Sequence, residues 1–474
     1  MDLGRFLFLS NDEIACIHET SLKVLQEIGI KVLSRKVQAL LAKNGADVDT
    51  ASSIVKIPSS LVKESIEKTP KKIVLCGRNP KFDLRIPTKD RPFVATSGFA
   101  TFIRDFETGE ERMSRSSDLK NFAVLSDYLD GVDFFWPIVA PTELPPPVQT
   151  VHGLAISLQN TEKHVQYQSL SEMEAKWQIR LASAVVGGKE KLRKRPIFSS
   201  INCSVSPLLF EKGSSEAMIE LAKAGIPVAP MSMALCGSTA PATIAGTLTI
   251  ANSENLSSLT ILECANPGAP IIYCVESTST DMRTGNINYR APELPLIAAA
   301  VSQMARFYGL PVYATGLPID EISDGFESVI SASKFPALAH LSRGDITAGL
   351  GSLGGAESSA LEKVILDVEV WEEAKAYLRR FRFDEETLSF DAIREVGPGG
   401  NFLGLKHTLE HFQKEIWLGR APVLPVTNRS LIKKAKEKVR QILSTYIPPQ
   451  LDVEVSREVK QILRTCERDM LHVS

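Results

Sequence analysis

From about residue 115 the chain settles into a rhythm that constrains its fold more than any other feature. Short apolar runs rich in strand formers recur: "VDFFWPIVA" (132–140), "HVQYQS" (164–169), "PIFSSINC" (196–203), "PVAPMSM" (227–233), "PIIYCVES" (270–277), "PVYATG" (311–316) and "DITAGL" (345–350). Helical patterns lie between them, among others at 171–186, 214–224, 241–265, 292–308 and 325–341. Alternation of this kind predicts parallel strands joined by helical crossovers. At Gly225–Val228, Gly268–Ile271 and Gly309–Val312 a Gly ends the helix and a Pro opens the strand. With "FVATSG" (93–98) as an eighth strand, the pattern predicts an α/β fold of the (β/α)8 TIM barrel type. Five or six units would instead favour an open doubly wound sheet.

The flanks read differently. Residues 1–92 are expected to form a helical and small β extension. Ile14, Ile17, Leu22, Leu25 and Ile28 make one helical stripe, Val37, Leu40 and Leu41 a second, and "IPSSLVKESIEKTP" a third helix. The barrel is expected over 93–371, with "ETGE" as a hairpin turn near its start. Residues 372–474 return to helix, where "SLIKKAKEKVRQIL" and "VEVSREVKQILRTC" each carry one apolar stripe suited to packing on the barrel or to an oligomer face.

Composition excludes several classes. A net charge of −2 gives no field to recruit nucleic acid or an anionic membrane surface. No window approaches 18 uninterrupted apolar residues, so no spanning helix is expected, and the first residues lack the pattern of a secretory signal. The seven cysteines are scattered without a C-x-x-C, which fits a reducing cytoplasm and argues against a disulfide framework or structural zinc.

In a parallel barrel, chemistry sits at the carboxyl ends of the strands. Those ends supply Phe99, Trp136, Tyr167, Asn202, Ser232, Met233, Glu276, Thr315 and Gly349. None is a lysine, which disfavours Schiff-base chemistry. The histidines never join Cys or acids at ligand spacing, so no metal is expected; His407 and His411 of "HTLEH" read as surface or capping residues. Cys236 reads as a packing cysteine ahead of a helix capped by Ser238 or Thr239. Gly349, Gly351 and Gly354 spell G-x-G-x-x-G, the dinucleotide pattern, but after a late strand rather than the first. Twenty residues on, Glu369 and Glu372 lie in a helical run. The glycines therefore suit an anion site or a close backbone approach to a large ligand. Finally, Phe99, Phe102, Phe134, Phe135, Trp136, Tyr167, Tyr273 and Tyr313 lie in or beside predicted strands; several of them gathered at one mouth, with Glu276, Glu293 and Glu321 nearby, would cage a quaternary ammonium.

Several stretches taken together resemble the trimethylamine methyltransferase family: "TSGFATFIRDFETGEERMSRSSDL", "NTEKHVQYQS", "GGKEKLRKRP", "CSVSPL", "AGIPVAPMSMALCGSTAPATIAGTL", "DMRTGNINYRAPE", "YGLPVYATG" and "EVGPGGNFLGLKHT". The resemblance runs over roughly residues 10–445. It implies a (β/α)8 barrel and a corrinoid-dependent methyltransferase that passes a methyl group from an amine to the cobalt of a separate corrinoid protein. The barrel here has only standard residues, so the chain is similar to the pyrrolysine-free branch, whose characterised members use quaternary amines such as glycine betaine. The resemblance implies no tightly bound cofactor, since no D-x-H-x-x-G cobalamin motif is present, and the corrinoid is supplied by the partner. A homo-oligomer is expected. Glu293 of "RAPE" is the candidate for contacting the substrate cation, with Glu321 as a second catalytic acid. Phe99, Trp136, Tyr167, Tyr273, Glu276 and Tyr313 are candidates for substrate binding. His164, Asp281, Arg283, Gly349, Gly351 and Gly354 are candidates for bracing loops or facing the corrinoid.

One segment departs from the family pattern. Where S-D-x-K and D-x-Q-A-G-Y-E are common, this chain reads "TGLPIDEISDGFESV" (315–329), with Gly316, Pro318 and Ser323 at the altered positions. That departure keeps open a diverged, non-catalytic barrel that binds an amine or a corrinoid protein. The glycine loop keeps open a phosphate-binding barrel enzyme.

Overall fold

A computed structural model describes residues 7–89, 91–314, 338–377, 382–415 and 428–471. Val165–Gln168, Phe198–Ile201 and Val228–Ala229 form one parallel sheet. Met231–Ser232, Tyr273–Val275, Val312–Ala314, Ile346–Leu350 and Phe93–Thr96 form another, in that order and also parallel. Single parallel bridges join the two sheets at both places where they meet: Val228 to Ile271 on one side, Ala95 to Phe134 and Phe135 to Val165 on the other. Pairing therefore runs through all eight predicted strand positions and returns to the strand on which it began. The fold is the (β/α)8 arrangement that the alternation predicted.

The crossover helices follow in step: Ser116–Tyr128, Pro146–Asn160, Glu172–Val186, Lys212–Ala224, Ile244–Ala265, Glu293–Phe307 and Leu361–Tyr377. Gly187 and Gly225 end two of them in the left-handed conformation, where a Cβ would be strained. The helix after Cys236 starts later than its sequence signals imply. Thr243 is its cap, accepting from the Gly246 N–H, while Thr239 accepts from the Leu235 N–H inside the preceding loop.

Side chains alternate across each strand, and the alternation sorts the core into two layers. Val165, Tyr167, Phe198, Val228, Tyr273, Val275 and Val312 pack outward with the helices. Ala95, Phe134, Trp136, Ile201, Ala229, Met231, Ile272, Cys274, Tyr313, Ile346 and Ala348 point into the lumen. A hairpin of Ile73–Leu75 and Leu84–Ile86 joins this inner cluster from below, closing the amino-terminal end. His164 ties that hairpin's flank to the strands: Nδ1 lies 2.9 Å from the Cys76 carbonyl and Nε2 2.9 Å from Ser199 Oγ. Its complete burial lowers the imidazole to about 4, so the ring is neutral and braces rather than titrates.

Residues before the barrel form the helices Asn11–Lys23, Arg35–Lys43 and Ser59–Lys68. They also form an antiparallel sheet of Ile30–Val32, Ile54–Lys56 and Asp47–Asp49, which no sequence signal had separated from the helices. Its first strand pairs in parallel with Leu209–Phe210, in the loop after the fourth barrel strand. The two amphipathic tail helices, Asn428–Thr445 and Val453–Leu471, lay Ala435, Val439 and Ile442, and Val459, Ile462 and Cys466, onto the barrel helices.

Tyr167 illustrates how closely the outer layer is packed. A Cβ built on Gly153, in the neighbouring helix, would stand 1.8 Å from the Tyr167 hydroxyl and 2.9 Å from the ring carbon bearing it. Gly153→Ala is expected to lower stability by about 1–3 kcal/mol through overpacking. Tyr167→Phe in the same chain should restore much of the loss by removing the nearest atom. Urea unfolding of the two single variants and the double variant measures the coupling, and additive effects would refute the close contact.

Candidate active site

At the carboxyl ends of the strands, an edge-to-face run of aromatics crosses the lumen. Trp136 lies between Phe99, at 6.0 Å between ring centroids, and Tyr313, at 5.9 Å. Offset and T-shaped rings at these separations attract one another. The strand geometry explains the run. Phe134 and Trp136 are two apart and so share the inner face, and Tyr313 sits on the inner face of the seventh strand, level with Cys274. Gly98 is required beside them, because a Cβ there would meet the indole of Trp136 at 2.2 Å. Phe99 holds a left-handed backbone, φ 68°, with its N–H donating to the Pro137 carbonyl at 2.8 Å. Such strain in a non-glycine residue persists only where its surroundings fix it.

Glu276 stands two residues beyond Cys274 on the same inner face. It is 9% exposed, and among the described residues no cation or hydrogen-bond donor meets its carboxylate. Burial alone pushes this acid up to about 7, because a buried carboxylate without a partner resists ionisation. Its charge is felt by the thiols of Cys203 and Cys274 and the hydroxyls of Tyr289 and Tyr313, all held above their ordinary values chiefly by burial. Cys203 is solvent-exposed, yet its thiol is raised to about 12. The resulting thiol is a poor nucleophile.

Loops rise around this mouth. Glu254, buried on the Ile244–Ala265 helix, accepts hydrogen bonds from Ser204 Oγ, Ser206 Oγ, Ser232 Oγ and the Leu208 N–H, fixing the loop that carries Cys203. A hairpin of Ser279–Thr280 and Ile287–Asn288 follows Glu276. Cys236 pairs through its backbone with Thr278 and Thr280, zipping the preceding loop to this hairpin. Asp281 and Arg283 pair at 3.2 Å within its turn, with Arg283 largely exposed, so they brace the hairpin and do not reach the lumen. Tyr289, at the hairpin's base, packs with Ile287, Leu294 and Ala356 and so joins the hairpin to the glycine loop.

The sequence candidates thus divide. Phe99, Trp136, Glu276 and Tyr313 come together. Tyr167 and Tyr273 occupy the alternate phase of their strands and pack with the outer layer; the Tyr167 ring still meets Phe99 edge-on, 5.1 Å between centroids, while Tyr273 donates its hydroxyl to Asn252 Oδ1, on the Ile244–Ala265 helix, at 2.8 Å. Glu293 opens the Glu293–Phe307 helix, where its carboxylate accepts from Ser279 Oγ at 3.4 Å. Glu321 and the altered segment 315–323 lie outside the described residues. Cys203, Tyr289 and Gln166 were not singled out from sequence, although Tyr289 lies in the quoted "NINYRAPE" and period-two alternation opposes Gln166 to Tyr167. His407 Nε2 lies 2.9 Å from Ser389 Oγ and His411 pairs with Glu386; among the described residues no group of His, Cys, Asp and Glu has a metal-holding arrangement. No described helix is long and apolar enough to cross a membrane.

The glycine loop is a hairpin rather than a helix N-terminus: Ser352–Leu353 pairs antiparallel with Ser358–Ser359, and the helix begins only at Leu361. The Gly351 N–H donates to the Asp367 carboxylate at 2.7 Å, so it is not free to bind a phosphate.

Residues 2–470 match the sequence profile of the family described as trimethylamine methyltransferase (MTTB). The trimethylamine methyltransferase MttB of Desulfitobacterium hafniense is 31% identical over 470 residues, covering 97% of this chain and 93% of that protein. A glycine betaine methyltransferase of the same species is 30% identical over 479 residues, covering 97% of each chain. The crystal structure of the monomethylamine methyltransferase MtmB of Methanosarcina barkeri aligns with a TM-score of 0.50 at 12% identity, over 93% of this chain and 96% of that one. At that identity the likeness is one of fold.

The glycines make different demands. Gly351, at φ 86°, would drive a Cβ to 2.5 Å from Val364 and 3.0 Å from Ile138, whereas Gly354, at φ 53°, faces open space. Gly351→Ala is expected to cost about 2–4 kcal/mol, from backbone strain together with overpacking. Gly354→Ala should cost only about 1 kcal/mol. Chemical denaturation of the two variants measures both, and equal losses would contradict the packing role of Gly351.

Proposed function

The chain belongs to the trimethylamine methyltransferase family, and on that footing we propose that it transfers a methyl group from a quaternary amine to the Co(I) of a separate corrinoid protein. The observation that carries this reading is Glu276: a buried carboxylate with no countercharge among the described residues, in a mouth walled by Phe99, Trp136 and Tyr313. A cation bound there would supply the missing partner, and aromatic faces attract a quaternary ammonium that can donate no hydrogen bond.

The partner's Co(I) supplies the electron pair that bonds the methyl carbon as the carbon–nitrogen bond breaks, and the leaving group is a neutral tertiary amine. No proton is needed, which fits a lumen whose one described acid can act as a fixed charge. The chain's own work is to hold the cation, aim one methyl toward the mouth and exclude water. Attraction to Glu276 weakens as the positive charge leaves nitrogen, so tight binding of the ground state must be offset by positioning. The reading takes the reaction to be cytoplasmic, in keeping with seven unpaired cysteines, and the enzyme to be a homo-oligomer with no tightly held cofactor.

The test is anaerobic mixing of the protein with a Co(I) corrinoid protein and glycine betaine, following the absorbance of the methylated corrinoid. Methyl transfer is expected, and failure with every quaternary and tertiary amine offered would overturn the reading. Glu276→Gln should lower kcat/KM by roughly 10- to 100-fold, the scale of one desolvated ion pair.

Binding should also depend on pH in a defined direction. The free acid titrates near 7, and a bound cation favours the ionised form, so binding releases a proton below that value. Affinity should therefore be flat above about pH 7 and fall by up to tenfold per unit below it. Calorimetry across pH 5.5–8.5 measures the slope, which Glu276→Gln should abolish.

A further inference from the structure

Gln166 occupies the inner face of the third strand, between Val165 and Tyr167, which both pack outward. It is fully buried, and neither its amide nitrogen nor its amide oxygen has a hydrogen-bond partner. Two more unpartnered buried groups belong to the same inner face, the Trp136 Nε1–H and the Tyr313 hydroxyl. Their placement is not scattered. Gln166 N donates to the Phe135 carbonyl, which sets Gln166 beside Trp136, and the Trp136 ring in turn contacts that of Tyr313. Apolar side chains line the same lumen, among them Phe134, Ile201, Met231, Ile272 and Ile346, and the polar neighbours His164 and Ser199 are already bonded to each other and to the Cys76 carbonyl. An apolar core leaves such groups unpaired at a cost of about 1–3 kcal/mol each, so three in one neighbourhood mark a place where something else completes them.

All three can donate a hydrogen bond, and no Lys or Arg occurs in the described barrel strands. The complement is an acceptor oxygen. We propose that Gln166, with the Trp136 indole N–H and the Tyr313 hydroxyl, forms a polar floor that holds an oxygen on the substrate's tail. The site thereby selects quaternary ammoniums with a short oxygen-bearing tail over those without one. The inference rests on the proposed function, because it takes the ammonium to lie at Glu276 and the aromatic walls. A site that hydrogen-bonds an oxygen rejects analogues lacking it more strongly than an apolar pocket rejects a missing methylene.

The test is calorimetric titration of the full chain, without any partner, using glycine betaine, choline and tetramethylammonium. The wild type is expected to bind at least one oxygen-bearing ligand ten or more times more tightly than tetramethylammonium. Gln166→Met should reduce that preference about tenfold while leaving tetramethylammonium affinity unchanged. Tyr313→Phe, which keeps the ring and removes only the hydroxyl, should act in the same direction and guards against a packing defect in the first variant. Preference for glycine betaine alone assigns the oxygen to a carboxylate, and preference shared with choline assigns it to oxygen in general; either supports the floor. Ammonium binding with no tail preference, or with a preference that neither variant alters, would show that trapped water completes these groups and would overturn the floor alone. No binding of any ammonium by the wild type would overturn the proposed function and the floor with it.

Discussion

Parallel strands cannot be joined by tight turns and leave unpaired backbone at every edge, so this molecule depends on the last strand meeting the first. Ile346–Leu350 lies against Phe93–Thr96 over four matched positions, with a register shift between Ala348 and Leu350. The pairing brings residues some 250 apart in sequence side by side. It also gathers the carboxyl ends of strands from distant parts of the chain around one opening. Phe99, Trp136, Glu276 and Tyr313 share a site only because that circuit is made. The register shift falls where the glycine loop begins, so the irregularity that relieves the pairing also turns the chain toward the hairpin at Gly351.

The electrostatic character of the site follows from the same circuit. Inner-face positions are shielded by two neighbouring strands and by the layer across the lumen. A carboxylate placed there loses solvation that no described partner returns. Several other buried charges among the described residues are met by partners within the fold. Lys163 donates to the carbonyls of Ser126, Leu129 and Val132 at the end of a helix, and Asp133 pairs with Arg91. Glu254 accepts four hydrogen bonds. Among the described residues Glu276 and the Gln166 amide have no such partner.

Much of this architecture was legible in the sequence. The eight strand positions and their helices follow from apolar runs of the right length, punctuated by Gly-x-Pro joins; the structure places the strands, and seven helices, where the alternation predicted, while most of the helix expected over 325–341 lies outside the described residues. The small sheet of the extension was hidden because its strands are three residues long, too short for period-two patterning to emerge beside strong helical stripes. At the site, strand ends identified which segments matter but not which residues. The missing information was phase: Tyr167 and Tyr273 are as aromatic as Trp136 and Tyr313, but they occupy the alternate positions of their strands. Trp136 follows Phe134 by two and Gln166 opposes Tyr167, so a consistent in-and-out assignment of each strand would have separated them. Tyr289 could not have been found that way, because it reaches the mouth from a hairpin whose course is set by contacts with Ala356, more than sixty residues away.

The pairing of Ile30–Val32 with Leu209–Phe210 has a consequence for how the chain is made. Its first strand leaves the ribosome early, but the partner strand follows only after roughly 180 further residues. At about 5–20 residues per second, that is a wait on the order of ten seconds or more. During that time the edge of a three-stranded sheet stands open to other chains. Three residues is a short edge, and Lys31 at its centre places a charge on the exposed face. The brevity that concealed the sheet from sequence analysis is then the same property that lets the nascent extension remain unpaired without being captured.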